Sequence, residues 1–308
     1  MREPASTYQL PSDVDRVIIS MNPKSGATDV SDRIERLADL ISAAGYLPEI
    51  LTDLDQVSEK AAQYHQEGRL RALVGSGGDG TAAEMFNRAP RGTPLCIYPA
   101  GNENLLARYL GLEKSPSQIA KLVIDGQVAR YDAVRADSRL FLLMIGVGFD
   151  AEVCRRLEEW RTGHVRSRHY IKPICSTLRK YKYPPIRVVS DELPEGEITV
   201  HWAFAFNFPC YGGGFRIAPN ADPSCGKLDL CTFNRSGRVS TLFFATSVLM
   251  RRHEKLSGCE NVKIGKFRLE SDGEVPYQLD GDFRGFLPVE IEIMPQVLNI
   301  IAPLGQSG

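Results

Sequence analysis

Leu70-Arg71-Ala72-Leu73-Val74-Gly75-Ser76-Gly77-Gly78-Asp79-Gly80-Thr81 is the stretch on which the fold of this chain turns. Leu70–Val74 is a short apolar run bounded by glycines, which reads as a buried strand. The glycines read as a loop, and a helix is expected from Thr81, broken at Pro90. Working outward, Val17–Met21 predicts a first strand, followed by a loop at Asn22-Pro23-Lys24-Ser25-Gly26. The next helix carries Ile34, Leu37, Ala38 and Ile41 on one face and stops at Gly45. Leu47–Leu51 predicts a second strand, Val57–Glu67 a second helix and Leu95–Tyr98 a fourth strand. Strands alternating with helices imply parallel pairing with right-handed crossovers, hence a doubly wound α/β domain. Ligands of such sheets bind beyond the carboxyl ends of the strands. Consecutive glycines let the backbone approach a phosphate, and a following helix presents its positive end. A plain turn capped by Thr81 would not need so many glycines around one acidic residue. The spacing fits neither GxxxxGK[ST] nor GxGxxG.

From about Arg130 the rhythm changes. Arg139–Val147, Ile186–Val189, Glu197–Phe206, Lys227–Phe233, Val262–Leu269, Tyr277–Leu279 and Val289–Ile293 are strand-like with few helices between them. They predict a mostly antiparallel second domain. Helical insertions are expected at 150–160 with 168–181, and at 240–252.

Charge and cysteine usage narrow the function. Across 308 residues, 37 Lys and Arg balance 38 Asp and Glu, for a net charge of −1, which argues against a nucleic-acid binder. The 7 cysteines form no CxxC pair, so they read as reduced thiols of a cytoplasmic protein rather than a zinc site or disulfide framework. Met1–Asp15 lacks the basic and apolar regions of a secretory signal. The most apolar windows, Phe141–Val147 and Leu242–Met250, are far shorter than the ~20 residues of a spanning helix.

Taken in order, several motifs resemble the diacylglycerol kinase catalytic-domain family, lipid kinases that include bacterial diacylglycerol kinases and sphingosine kinases. Gly77-Gly78-Asp79-Gly80-Thr81 preceded by Asn22-Pro23-Lys24-Ser25-Gly26 is similar to its nucleotide loops. Pro99-Ala100-Gly101-Asn102-Glu103-Asn104-Leu105-Leu106-Ala107-Arg108 resembles P-x-G-T-x-N-D-x-A-R, and Gly146–Ala151 resembles G-x-G-F-D-A. Asn207 with Gly212–Gly214, Ile217, Pro219, Ala221 and Gly226–Leu230 follows a further pattern, and Asp280-Gly281-Asp282 resembles a late D-G-E.

The resemblance implies an α/β nucleotide domain over 12–132, to which 297–305 returns, a β-rich lipid-substrate domain over 133–296, and an active site in the cleft between. It implies ATP and Mg2+ as cofactors. Asn22, Ser25, Gly26 and Thr52 would contact nucleotide, Gly77, Gly78, Gly80 and Thr81 would cradle its phosphates, and Asp79 would hold the metal through water. Glu84, Asn102 and Asp282 join the nucleotide set, and Asp280 would be the general base that positions a lipid hydroxyl. The chain departs from the family at Leu105 in place of Asp, Cys225 in place of an acidic residue, and Ala83 in place of Asn. The Cys225 change bears on a structural magnesium site that Asp222 and Asp229 would otherwise share. The alternatives are an NAD kinase, which shares the glycine loop and two-domain plan, and a catalytically weakened lipid- or nucleotide-binding relative.

Residues 155–182 carry nine Lys and Arg, namely Arg155, Arg156, Arg161, Arg166, Arg168, Lys172, Arg179, Lys180 and Lys182, against Glu158 and Glu159. A solvated helix face is the plain reading. The functional one is a peripheral contact with the inner membrane surface, where a lipid substrate resides. An edge strand of the second domain is the candidate surface for a homodimer.

Overall fold

The structure is a computed structural model that describes residues 5–21, 28–160 and 167–303. The chain divides into two compact units, 1–132 with 295–308, and 133–294.

The first unit begins with a short strand, β1 (Thr7–Gln9). It continues through β2 (Arg16–Met21), α1 (Thr28–Ala43), β3 (Leu47–Leu51), α2 (Leu54–Gln66), β4 (Leu70–Gly77) and α3 (Asp79–Arg88). Then come β5 (Leu95–Pro99), the single turn α4 (Leu105–Tyr109), α5 (Pro116–Asp125) and β6 (Gln127–Ala136), whose last residues run into the second unit. The parallel strands lie in the order β3-β2-β4-β5. β2 and β4 are buried almost throughout, as continuous apolar strands of a sheet covered on both faces must be. Ile34, Leu37 and Ile41 of α1, and Val57 and Ala61 of α2, supply the cover. Asp53 caps α2 by accepting the N–H groups of Asp55 and Gln56, and Ser115 caps α5.

One expected boundary moves. Gly75–Gly77 is not loop but the end of β4, because parallel pairing with Ser20 and Met21 on one side and Ile97–Pro99 on the other continues through it. The helix accordingly starts at Asp79 rather than Thr81.

The second unit contains β7 (Arg139–Phe141), β8 (Met144–Val147), α6 (Phe149–Glu159), α7 (Ile171–Lys180), β9 (Ile186–Val189), β10 (Glu197–Val200) and β11 (Trp202–Phe206). It continues with β12 (Leu228–Phe233), α8 (Arg238–Leu249), β13 (Cys259–Ile264), β14 (Lys266–Glu270), β15 (Pro276–Leu279) and β16 (Asp282–Phe286). The last strand, β17 (Val289–Ile301), starts here against β14 and ends in the first unit, where Ile300 pairs in parallel with Leu95. One antiparallel sheet runs β13-β12-β11-β8-β15-β16, and a second carries β10-β9-β14 and the start of β17. Alternating residues point inward from both, Val188, Phe267, Leu269, Val289 and Ile291 from one and Ile145, Val147, Ala203, Ala205 and Leu230 from the other. They form one sandwich core. On the outer face of β11, Trp202 meets Phe149 of α6 and Phe244 of α8, each at 5.1 Å between centroids.

Arg71, 2% exposed, is a buried guanidinium that this fold fixes from strand β4. It donates to the carbonyls of Val123 at 2.8 Å, Ile124 at 2.6 Å and Pro11 at 3.1 Å, and stacks over Tyr46. These bonds close the carboxyl end of α5. Replacing Arg71 by Met is expected to leave buried carbonyls without donors and cost about 3 kcal/mol of stability in urea denaturation. An unchanged midpoint would contradict this assignment.

Candidate functional site

Parallel register decides which loops gather at the carboxyl edge of the first unit. Met21 pairs with Ser76, Gly77 with Pro99 and Ser20 with Leu51. Met21, Leu51, Gly77 and Pro99 therefore end their strands along one edge of the sheet. Strand order reverses between β2 and β4, which makes this edge the topological switch point where α/β sheets bind ligands. Thr52 is exposed immediately after β3. Asn22, Ser25 and Gly26 lie outside the described residues.

Two of these segments are locked together. Ala100 and Gly101 donate their N–H groups to the Gly77 carbonyl at 3.0 and 3.2 Å. The Asp79 carboxylate then accepts from Leu105 and Leu106, each at 2.9 Å. Asp79 thereby caps α4 from another part of the chain. Asn104, at the ordinary capping position, cannot do so: its backbone is left-handed, with φ of 48°, and its amide donates to the Gly101 carbonyl instead. Burial pushes the Asp79 carboxyl above its ordinary value, and the N–H groups of Leu106 and Leu105 oppose this without cancelling it.

Backbones approach closely here. A Cβ on Gly101 would lie 2.6 Å from the Gly78 Cα, so only glycine fits. Asn104 is 6% exposed and its Oδ1 has no hydrogen-bond partner within the protein. That oxygen faces the same place, 2.8 Å from where a Gly101 side chain would begin. Gly78 starts α3 without a side-chain cap, and its carbonyl accepts the N–H groups of Thr81 at 3.0 Å and Ala82 at 3.2 Å. Gly77, Gly78, Gly80 and Thr81 thus form a backbone cradle with an orphaned amide oxygen beside it, a fit for phosphate and its solvated cation.

Two further members of the expected nucleotide set lie on α3 and on the loop after β5. Glu84 pairs with Arg88 on its own helix at 2.6 Å, and Arg88 also holds Asp55 at 2.7 Å. Asn102 is exposed, and the buried amide of this loop is Asn104.

In the second unit, β15 and β16 are joined by the two-residue turn Asp280-Gly281, both with positive φ. The Asp280 carboxylate accepts the N–H groups of Leu142 at 2.8 Å, Leu143 at 2.7 Å and Met144 at 3.1 Å. This capture interrupts the run expected as one strand over Arg139–Val147, so β7 and β8 are separate. An oxygen pair fixed by three N–H donors is suited to orienting a partner more than to stripping a proton from it. Asp282 is exposed, and Arg284 donates to it at 3.1 Å.

Behind the turn lies a polar network that motif reading missed. Gln278 is 1% exposed; its carbonyl accepts from Gly281 at 2.7 Å and its amide donates to Asp150 at 2.9 Å. The Tyr211 hydroxyl donates to the other Asp150 oxygen. Burial raises the Asp150 carboxyl, with Tyr211 and Gln278 opposing. Gly146 makes room, since a Cβ there would meet both Asp150 and Gln278. A glutamine at alternate strand spacing from Asp280 was the available signal.

In the segment around Cys225, the Ser224 hydroxyl donates to Asp222 at 2.7 Å and Lys263 pairs with Asp229 at 2.8 Å. No group of three or more His, Cys, Asp or Glu that could hold a metal is present among the described residues. In the basic run, Glu152 takes both Arg155 and Arg156 at 2.7 Å, while Arg161 and Arg166 lie outside the described residues. Among the described residues, no helix is long and apolar enough to cross a membrane.

Two outcomes follow. Gln278→Leu removes the acceptor of the Gly281 amide and one of the two side-chain donors to Asp150, and is expected to lower stability by about 1–3 kcal/mol. An unaltered urea midpoint would refute that role. For Asp79, the folded value lies above the unfolded one, so its contribution to stability is complete below about pH 4 and is lost as pH rises through the folded value. The stability of wild type relative to Asp79→Asn should therefore fall from pH 4 to pH 7; a difference that grows would contradict it.

The family model described as the diacylglycerol kinase catalytic domain matches residues 16–136, and that of the YegS C-terminal NAD kinase beta sandwich-like domain matches 143–302. A diacylglycerol kinase of Mycobacterium tuberculosis is 32% identical over 239 residues, spanning 75% of this chain and 77% of that protein. A crystal structure of a diacylglycerol kinase from Bacillus anthracis shares the fold with a TM-score of 0.70 at 22% identity, covering 95% of this chain and 98% of that one. An NAD kinase from Archaeoglobus fulgidus in complex with ATP has a TM-score of 0.52 at 13% identity, covering 93% of this chain and 92% of that one. With the two family models matching over 16–136 and 143–302 and a relative 32% identical over most of both chains, the chain belongs to the diacylglycerol kinase family of lipid kinases.

Proposed function

We propose that the protein transfers the γ-phosphoryl group of ATP to a hydroxyl of a diacylglycerol-like or long-chain-base lipid. The observation that carries this reading is the cradle at the carboxyl edge of the first unit, where Gly78 and Gly101 touch and Asp79 clamps the two loops. Backbone N–H groups at the start of α3 suit the phosphates of a nucleotide. Asn22, Ser25 and Gly26, which follow β2 in the sequence, and Thr52, which follows β3, we assign to the rest of the nucleotide. An ATP complex of a structurally similar NAD kinase accords with this choice of donor.

Asp79 would hold Mg2+ through water. Two N–H donors occupy part of its carboxylate, which has about four acceptor positions in all, and Mg2+ characteristically keeps several waters with one or two carboxylates and phosphate oxygens. When bound, the ion supplies charge neutralisation at those oxygens. Asp280 would orient the lipid hydroxyl for in-line attack, its direction set by Leu142, Leu143 and Met144. Phosphoryl transfer draws most of its rate from positioning and electrostatic stabilisation, so a fixed carboxylate serves without being a strong base. Lys172, Arg179, Lys180 and Lys182 remain from the basic run as contacts for a membrane that presents the lipid.

Labelled ATP offered with diacylglycerol, a long-chain base or NAD tests the assignment by thin-layer chromatography. Label is expected in a lipid product, lost when the divalent cation is chelated, and reduced about 100-fold or more by Asp280→Asn or Asp79→Asn. Label in NAD alone, or full turnover by Asp280→Asn, would overturn it.

A further inference from the structure

Helix α8 has two apolar faces, and the fold uses one of them. Inward, Thr241, Phe244, Ser247 and Val248 are buried. Phe244 packs on Phe233 at 4.7 Å and on Trp202, and the Thr241 hydroxyl donates to that of Tyr183 at 2.7 Å. Outward, Val239, Leu242, Phe243, Leu249 and Met250 lie between 54% and 82% exposed. Their spacing is that of one helical stripe. Scattered exposed leucines are ordinary in proteins, but a contiguous row of five large apolar side chains marks a contact surface.

The surroundings of the stripe select the partner. Residues 239–250 carry no charge, and residues 235–253 contain Arg235, Arg238, Arg251 and Arg252 with no Asp or Glu. Alongside, α7 exposes Ile171 and Ile174, and the stretch 167–182 also has no acidic residue while offering Lys172, Arg179, Lys180 and Lys182. The two helices are tied together, since the Arg238 guanidinium donates to the Arg179 carbonyl. At 1.5 Å per residue, the twelve uncharged positions extend only about 18 Å, too short to cross a bilayer. An apolar row of that length flanked by guanidinium and ammonium groups suits a helix lying in the plane of an anionic interface.

We propose that α8 is a membrane-docking helix: its outer row, with Leu242 and Phe243 at the centre, inserts among the acyl chains of an anionic leaflet, while Arg238, Arg251, Arg252 and the cations of α7 with Lys182 sit among the headgroups. The proposal deepens the lipid-kinase reading and rests on it for its purpose, yet docking is measured without nucleotide or turnover.

Flotation with vesicles of phosphatidylcholine, alone or mixed with phosphatidylglycerol, tests it on the full-length chain. Wild type is expected to float with the mixed vesicles and to be released by salt. Leu242→Glu with Phe243→Glu should weaken binding about tenfold or more, and Arg251→Glu with Arg252→Glu should abolish the preference for anionic lipid. Both should keep the far-ultraviolet circular dichroism of wild type and its turnover of a water-soluble short-chain diacylglycerol. As a second probe, Phe243→Trp emission should shift to the blue when anionic vesicles are added.

Wild type that fails to float, charge-reversed or acidic variants that float as well as wild type, or an unmoved Phe243→Trp spectrum would each overturn the proposal. So would light scattering showing a dimer that Leu242→Glu with Phe243→Glu dissociates, since the row would then be a self-association surface. Absence of kinase activity with docking intact would count against the lipid-kinase reading alone.

Discussion

The candidate nucleotide site depends on one carboxylate holding two loops. Asp79 begins α3 and accepts the first two amides of α4, so the glycine loop after β4 and the loop after β5 have one geometry relative to each other. Everything assigned to phosphate binding needs that geometry. The contact of Gly78 with Gly101 is tolerable only if the loops are held in register, and Asn104 turns its unpartnered oxygen toward the same place because its backbone is left-handed there. The cost of burying the charge is visible in the raised Asp79 carboxyl, and charged burial of this kind concentrates at functional sites.

The second unit uses the same device with different elements. A tight turn puts Asp280 in a left-handed conformation, and three amides of the segment between β7 and β8 fix its carboxylate. Gln278 ties the following glycine amide to Asp150, which Tyr211 holds from the other side. Both carboxylates proposed for chemistry are thus oriented by main-chain donors, and a network of buried side chains stiffens the second. Pre-orientation of this kind is what phosphoryl transfer asks of a protein.

Much of this was legible beforehand, and the gaps have physical causes. Periodicity located the alternating strands and helices of the first unit because β2, β4 and the inner faces of α1 and α2 are apolar at the expected spacing. It placed the glycines in a loop because strand propensity is low there, whereas pairing on both sides keeps Gly75–Gly77 in the sheet. Leu105 stands where the family has Asp, and what it brings to the site is its backbone N–H, bonded to Asp79 at 2.9 Å. Asn104, Asp150, Tyr211 and Gln278 acquire meaning only through tertiary neighbours, as does the outer row of α8, which in the sequence is simply an apolar window too short to span.

The central claim is that the loops after β4 and β5 are where the nucleotide binds. Amide hydrogen exchange with and without ATP, in the presence of Mg2+, addresses it most directly, because the proposed ligands are main-chain N–H groups. The account predicts added protection in peptides covering 75–82 and 99–106, and none of that protection in Asp79→Ala. Protection confined to other segments, or equal protection in Asp79→Ala, would contradict it.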